Sequence, residues 1–410
     1  MRYISTHPWA ALLVAAAIGV ATPLSQADVI TDWNTRAGEI VAAGKLPPHP
    51  SYRGMAIVQM AVYEAVNAIT RRYPQGQLKP VDSRASVDAA VAEANHTVLS
   101  KLVPGKQAAI DSAYQAALSP ISDGPAKSAG LDVGRKAAIA VLAWRADDGA
   151  TASASYRPLT SPGRYVPTVI PAAPQWPLRK TWVMASADQF RPGPPPSLTS
   201  EHWARDFNEI QAIGARNSTQ RSAEQSEIAR FWEATGPAIY FPLARSVATA
   251  PGREPTQNAR LLAIAGVTMD DALTAVMDAK YQYNFWRPIT AIRNGDNDGN
   301  EATERSSSWL PFVDTPMHPE YPCAHCALAG SLGAVLKHEI GAGPAPLLTT
   351  TSVTAKGAAR SWIRVDDFVQ EVANARIYDG VHFRTSTEVG TELGRKIGEL
   401  AADRYATARK

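Results

Sequence analysis

Residues 258–288 read NARLLAIAGVTMDDALTAVMDAKYQYNFWRP. Leu262, Met269, Leu273 and Val276 stand at offsets 0, 7, 11 and 14, tracing one face of a helix with 3.6 residues per turn. Continued along that face, the stripe reaches Lys280 at offset 18 and Arg287 at offset 25. Two cations thus extend an apolar stripe instead of occupying the solvent face. Pro288 disfavours helical geometry in the residue before it, so the helix ends or bends at Arg287. The structural alternative is a Lys and an Arg whose stems cover the end of a buried helix while their heads reach water.

Working outward, the same period recurs. Ser51 to Arg72, Val87 to Leu102, Lys106 to Leu118 and Ala126 to Ala146 carry apolar residues at spacings of three and four and are rich in Ala. Helices resume at Glu201 to Ile213 and at Ser222 to Glu233, and clear period-2 strands with hairpin turns are hard to find. The reading is an all-α protein of bundled helices. Between Leu159 and Ser200 a high density of proline, including Pro194-Pro195-Pro196, forbids regular helix. Trp176, Trp182 and Phe190 in this stretch argue for a belt packed across the surface rather than a solvated linker. The organisation expected is a helical half over 28–158, the belt over 159–200, and a second half over 201–410, together forming one unit.

Two further clusters lie in that second half. His318-Pro-Glu-Tyr-Pro-Cys-Ala-His325-Cys326 precedes a small-residue helical run from Ala327 to Ile340. Pro322 suits the first turn of this helix, whose free N–H groups and positive dipole end would attract an anion beside His325. Farther on, Arg376-Ile-Tyr-Asp-Gly-Val-His382 offers a planar fork of donors and an imidazole, with Gly380 to bend the chain between them. Each cluster alone reads equally as structure, a core histidine after a turn or an ordinary helix end.

Together, in order, the three resemble the motif set of the vanadium-dependent haloperoxidase and type 2 phosphatidic acid phosphatase superfamily. Its first motif, Lys-x6-Arg-Pro, stands whole at Lys280 to Pro288. Pro322-Cys323-Ala324-His325 stands where the family has Pro-Ser-Gly-His, and Ala375-Arg376 to His382 where it has Ser-Arg-x5-His. The resemblance implies that Lys280, Arg287 and Arg376 bind the oxygens of vanadate or phosphate, with Cys323 and the backbone N–H of Ala324 beside them. His325 would be the acid–base residue. His382 would be the axial vanadium ligand of a peroxidase, or the nucleophile of a phosphatase forming a phosphohistidine. His318, seven residues before His325, occupies a position linked in the family to halide selection. The leading expectation is a vanadate-dependent haloperoxidase using hydrogen peroxide and halide. The alternatives are a soluble phosphatase acting on a phosphate ester, and a protein that only captures an oxyanion. Replacing Ser by Cys323 exchanges a hydroxyl donor for a poorer thiol that peroxide could oxidise.

The remaining features narrow the setting. The chain has 410 residues, 45% of them hydrophobic, and a formal charge of +3 with no Lys/Arg run. That pattern gives no reason to invoke nucleic acid. Residues 1–27 read as a signal peptide: Arg2, an apolar run from Trp9 to Val20, then Ser25-Gln26-Ala27. Cleavage there would deliver a periplasmic or secreted chain, and no later stretch is long and apolar enough for a membrane span. Cys323 and Cys326 are the only cysteines and suit a local disulfide better than a redox or zinc site. Asn294 to Gly299 begins like a calcium loop, but Arg305 stands at position 12, so it reads as a polar turn.

Overall fold

The computed structural model describes residues 28–406, so the leader read at residues 1–27 lies outside the described residues. The first half contains α1 (Val29–Ala43), α2 (Pro48–Thr70), α3 (Val87–Leu102), α4 (Gln107–Leu118) and α5 (Pro125–Trp144). After the belt come α6 (Glu201–Ile213), α7 (Ala223–Trp232), α8 (Pro237–Ala248), α9 (Pro255–Tyr283), α10 (Pro288–Arg293) and α11 (Ala324–Ile340). A hairpin of β1 (Leu348–Ser352) and β2 (Ala358–Trp362) leads into α12 (Val365–Tyr378) and α13 (Arg384–Tyr405). The fold is all-α apart from this hairpin.

The hairpin departs from the sequence reading. Its strands, LTTTS and AARSW, carry hydroxyls where an apolar alternation would announce a strand. The Thr350 hydroxyl donates to Ile239 O and the Ser352 hydroxyl to Phe231 O, so the inward face is held by polar contacts to α8 and α7.

Helix α9 is buried around nearly its whole circumference and packs against α2, α8, α11 and α13, as a central helix must. The acids that interrupt its apolar sequence each hold the belt. Asp270 accepts from Arg179 at 2.7 and 2.9 Å and from the Trp182 indole N–H at 2.8 Å. Asp271 accepts the backbone N–H groups of Trp182, Val183 and Met184, although burial still pushes its carboxyl up to about 6. Asp278 pairs with Arg191 at 2.6 and 2.8 Å. The proline-rich belt is therefore stapled along α9, which brings Trp176 inside the molecule, 2% exposed.

Two close approaches position the second half. Gly390, Gly394 and Gly398 of α13 face Cys323, Ala327 and Ser331, where an added Cβ would come within 2.4, 2.0 and 2.2 Å of their carbonyl oxygens. Only glycine at every fourth position lets α13 lie this near α11. The second anchor is an aromatic cluster around Trp203, which meets Trp286 at 5.9 Å, Phe285 at 5.6 Å and Phe383 at 4.8 Å between ring centroids. Phe285 and Trp286 immediately precede Arg287, and Phe383 follows His382, so the cluster fixes both chain segments. The polar turn after Asn294 belongs to the same support: Asp298 accepts from the Trp203 indole N–H at 2.8 Å and from Thr303.

Candidate functional site

Helix α9 delivers Lys280 in its last turn and then stops. Asn284 adopts a left-handed conformation, φ 51°, and its N–H caps Lys280 O at 2.8 Å. Phe285 and Trp286 run extended beside Gly163 to Tyr165 of the belt. Arg287 is the residue before α10, not a continuation of the α9 stripe. The stripe extends to Lys280 but not to Arg287, because the helix ends four residues before it. The result still brings the two cations to one loop: Lys280 Nζ donates to Pro319 O and Glu320 O at 2.9 and 2.7 Å, and Arg287 Nε donates to His318 O at 2.8 Å.

The segment 318–325 also differs from its sequence reading at one point. Pro322 lies outside the helix; Cys323 is the N-cap of α11, and its Sγ accepts from Cys326 N–H at 3.1 Å. Cys323 and Cys326 are joined in a disulfide and fully buried, so residue 323 offers no thiol proton to an anion. Ala324 and His325 follow in the first turn. His325 Nε2 lies 3.1 Å from Ala234 O. A carbonyl only accepts, so Nε2 carries the ring proton and Nδ1 keeps its lone pair.

Arg376 ends α12. Its Nη1 donates to Trp232 O at 3.0 Å and lies 2.5 Å from Asp379 Oδ2, while its buried Nε has no hydrogen-bond partner among the described residues. Gly380, φ +79°, turns the chain where a Cβ would strike Gly214 O. His382 then comes to lie against Glu320. Its Nδ1 is 2.8 Å from Glu320 Oε1, and its Nε2 is 3.3 Å from Arg287 Nη1. Since arginine only donates, His382 Nε2 is the acceptor and Nδ1–H donates to the carboxylate. Arg287 Nη2 also lies 2.9 Å from His318 Nδ1, which is 3.1 Å from Pro319 O.

A cavity of about 660 Å³ collects much of this set: His318, Ala324, His325, Arg376 and His382 line it, and Trp176 of the belt and His49 of α2 form part of its wall. Lys280 is sealed beneath the 319–320 loop and Cys323 lies off the cavity wall; Arg287 touches His382 and borders a neighbouring cavity. Glu320, Asp379 and His49 were not singled out from sequence. Glu320 and Asp379 stand inside the quoted motifs, so their place two residues after His318 and three after Arg376 was the available signal. His49 lies in the first turn of α2, which begins at Pro48, three residues earlier than the periodicity indicated.

The electrostatics favour an anion. Burial lowers Lys280 well below its usual range and Arg287 to about 10, the neighbouring arginines adding to the fall and Glu320 opposing it. Burial also raises Glu320 and Asp379 to about 7, against the pull of Lys280 and Arg287 on the first and Arg376 on the second. Burial followed by the surrounding cations holds His325 and His382 well below 6.5, hence neutral. Three buried basic side chains face two carboxylates that resist ionisation, so a bound oxyanion would favour their charged forms.

Comparison with known proteins gives a consistent picture. Residues 260–410 match the family model described as the VCPO second helical-bundle domain. Vanadium chloroperoxidase of Curvularia inaequalis is 27% identical over 142 residues, covering 29% of this chain and 23% of that protein. The match thus spans under a quarter of that curated relative. The crystal structure of the first bacterial vanadium-dependent iodoperoxidase superposes with a TM-score of 0.77 at 23% identity, covering 93% of this chain and 96% of that one. A holo-type bacterial vanadium-dependent chloroperoxidase gives 0.71 at 17% identity, covering 88% and 93%.

Proposed function

We propose that this chain, which belongs to the vanadium-dependent haloperoxidase and type 2 phosphatidic acid phosphatase superfamily, is a vanadate-dependent haloperoxidase that oxidises halide with hydrogen peroxide. The observation that carries the reading is His382: a buried carboxylate accepts the hydrogen bond of its Nδ1–H, so Nε2 presents a lone pair beside Arg287. The residues fit vanadate. Arg376 Nε is a buried donor without a partner among the described residues, Arg287 reaches the His382 nitrogen, and Lys280 adds a third basic group behind the loop. Phosphate has the same shape and would compete.

When bound, vanadate supplies the electrophilic centre at which peroxide is activated for two-electron oxidation of halide. The protein's part is charge, orientation and protons. Arg287 and Arg376 neutralise the oxyanion without reorganising, because carbonyls and Asp379 already fix their guanidinium planes. His325 would take and give protons at Nδ1, while Ala234 O holds its Nε2–H. Because the chain's two cysteines are bonded to each other, no free thiol stands beside the peroxide. Export behind the leader at residues 1–27 completes the proposal. No helix among the described residues is long and apolar enough to cross a membrane.

The test is halide oxidation and phosphate-ester hydrolysis by purified protein, with and without added vanadate. Oxidation that requires vanadate and is suppressed by phosphate is the expected result. Ester hydrolysis without vanadate, with vanadate acting only as an inhibitor, overturns it in favour of a phosphohistidine enzyme.

A further inference from the structure

An enzyme that makes hypohalous acid exposes its own cavity walls to that product, and the most easily oxidised side chain on the way out meets it first. A thioether is more easily oxidised than an indole or a phenol, because its sulfur lone pair attacks the electrophilic halogen without disrupting an aromatic ring. The sulfur atoms of this chain are distributed unevenly with respect to that hazard. Cys323 and Cys326 are buried and bonded to each other. Met55, Met60, Met184, Met269 and Met277 are at most 5% exposed.

Met317 is the exception among the described residues, at 50% exposed. It lines the cavity that holds His325 and His382 and also the neighbouring cavity of about 580 Å³ that Arg287 borders. Its backbone is held in place, since Ala172 N–H donates to Met317 O at 2.6 Å and the following carbonyl, His318 O, accepts from Arg287 Nε at 2.8 Å. The other oxidisable walls are less accessible: Trp176 in the first cavity is 2% exposed and Tyr165 in the second 5%.

We propose that Met317 is a site of self-modification, a thioether at the mouth of both cavities that captures escaping hypohalous acid and becomes the sulfoxide. The proposal rests on the proposed function for its oxidant. The sulfur attacks the halogen, a sulfur–halogen bond forms, and the halogen–oxygen bond breaks to release hydroxide. Water then displaces halide from sulfur and loses its protons, leaving the sulfur–oxygen bond. Sulfur gives up two electrons and the halogen returns as halide. The sulfoxide is polar, and a half-exposed position accommodates it without opening the core. Oxidation of Trp176 would be more damaging, because the Arg179 guanidinium that pairs with Asp270 lies over its ring at 4.6 Å.

Peptide mass spectrometry reads the modification. Vanadate-free protein treated with one equivalent of hypobromite should carry its first added oxygen on Met317. Vanadate-loaded protein turning over bromide and peroxide, with no organic acceptor, should do the same, and peroxide without bromide should not. Met317→Leu keeps the volume and apolarity of the side chain. It should show the parent's initial rate, a several-fold greater loss of activity per turnover, and oxidation moved to Trp176 or Tyr165. Hypobromite that modifies another residue ahead of Met317, sulfoxide that forms equally without bromide, or a Met317→Leu enzyme that inactivates no faster than the parent overturns the proposal. A parent that oxidises no halide counts against the proposed function instead, and the hypobromite treatment, which needs no turnover, still decides whether Met317 is the reactive sulfur.

Discussion

Glu320 Oε1 lies 2.8 Å from His382 Nδ1 and also accepts the N–H of Phe383 at 3.0 Å, so one buried carboxylate sets both the tautomer and the backbone position of His382. Such outer partners of a ligating histidine commonly matter by about 10- to 100-fold in affinity. Glu320→Ala should therefore weaken vanadate by that range, and Glu320→Gln, whose amide oxygen can still accept from Nδ1–H, by less. Calorimetric titration of the three proteins checks the order; equal affinities would mean that Glu320 does not orient His382.

The same carboxylate gives a pH signature. Burial raises Glu320 from 4.5 to about 7, so the folded chain binds its proton more tightly than the unfolded chain does. Its contribution to stability is complete below about pH 4.5 and is lost as the pH rises through about 7. Relative to Glu320→Gln, the anion-free parent should lose on the order of 3 kcal/mol across that window. Denaturant unfolding of both proteins at pH 5 and pH 8 measures the difference. A parent that gains on the variant with rising pH would contradict the sign.

Among the described residues Arg376 Nε has no partner, while Trp232 O and Asp379 hold its Nη1. Arg376→Ala should cost about 1.5–3 kcal/mol in vanadate binding, the worth of a charge-assisted hydrogen bond. Arg376→Lys should recover little, because a lysine has no planar fork with which to replace Nε. Full recovery by lysine, in competition titrations against phosphate, would reduce the role of Arg376 to charge alone.

Away from the anion, Asp270 ties the belt to α9 through Arg179 and the Trp182 indole. Asp270→Ala leaves Arg179 sharing only Asp148 in a buried setting, and breaking such a pair typically costs about 3–5 kcal/mol. Thermal unfolding should show a large loss. A change near zero would mean that the belt does not depend on this staple.

Helix-forming stretches with strong periodicity were legible to the residue: Val87 to Leu102 and Glu201 to Ile213 stand as read. What periodicity could not convey was where a stripe ceases to be helix. Lys280 obeys the 3.6-residue period, whereas Arg287 arrives through a left-handed Asn284 and an extended pair of aromatics. The motif residues were visible because their order and spacing are local. Their supports were not: Glu320 meets His382 across 62 residues of sequence, and His49 approaches the cavity from the other half of the chain. The hairpin hid because its inward contacts are hydroxyls, and the glycines at 390, 394 and 398 state a close helix pair only once the partner helix is known.

The central claim is that His382 Nε2 contacts the central atom of the bound oxyanion. X-ray absorption spectroscopy of protein loaded with one equivalent of vanadate tests it directly. The account predicts a nitrogen neighbour of vanadium in the parent, its retention in His325→Ala, and its loss in His382→Ala. A nitrogen that persists without His382, or an all-oxygen vanadium in the parent, would contradict it.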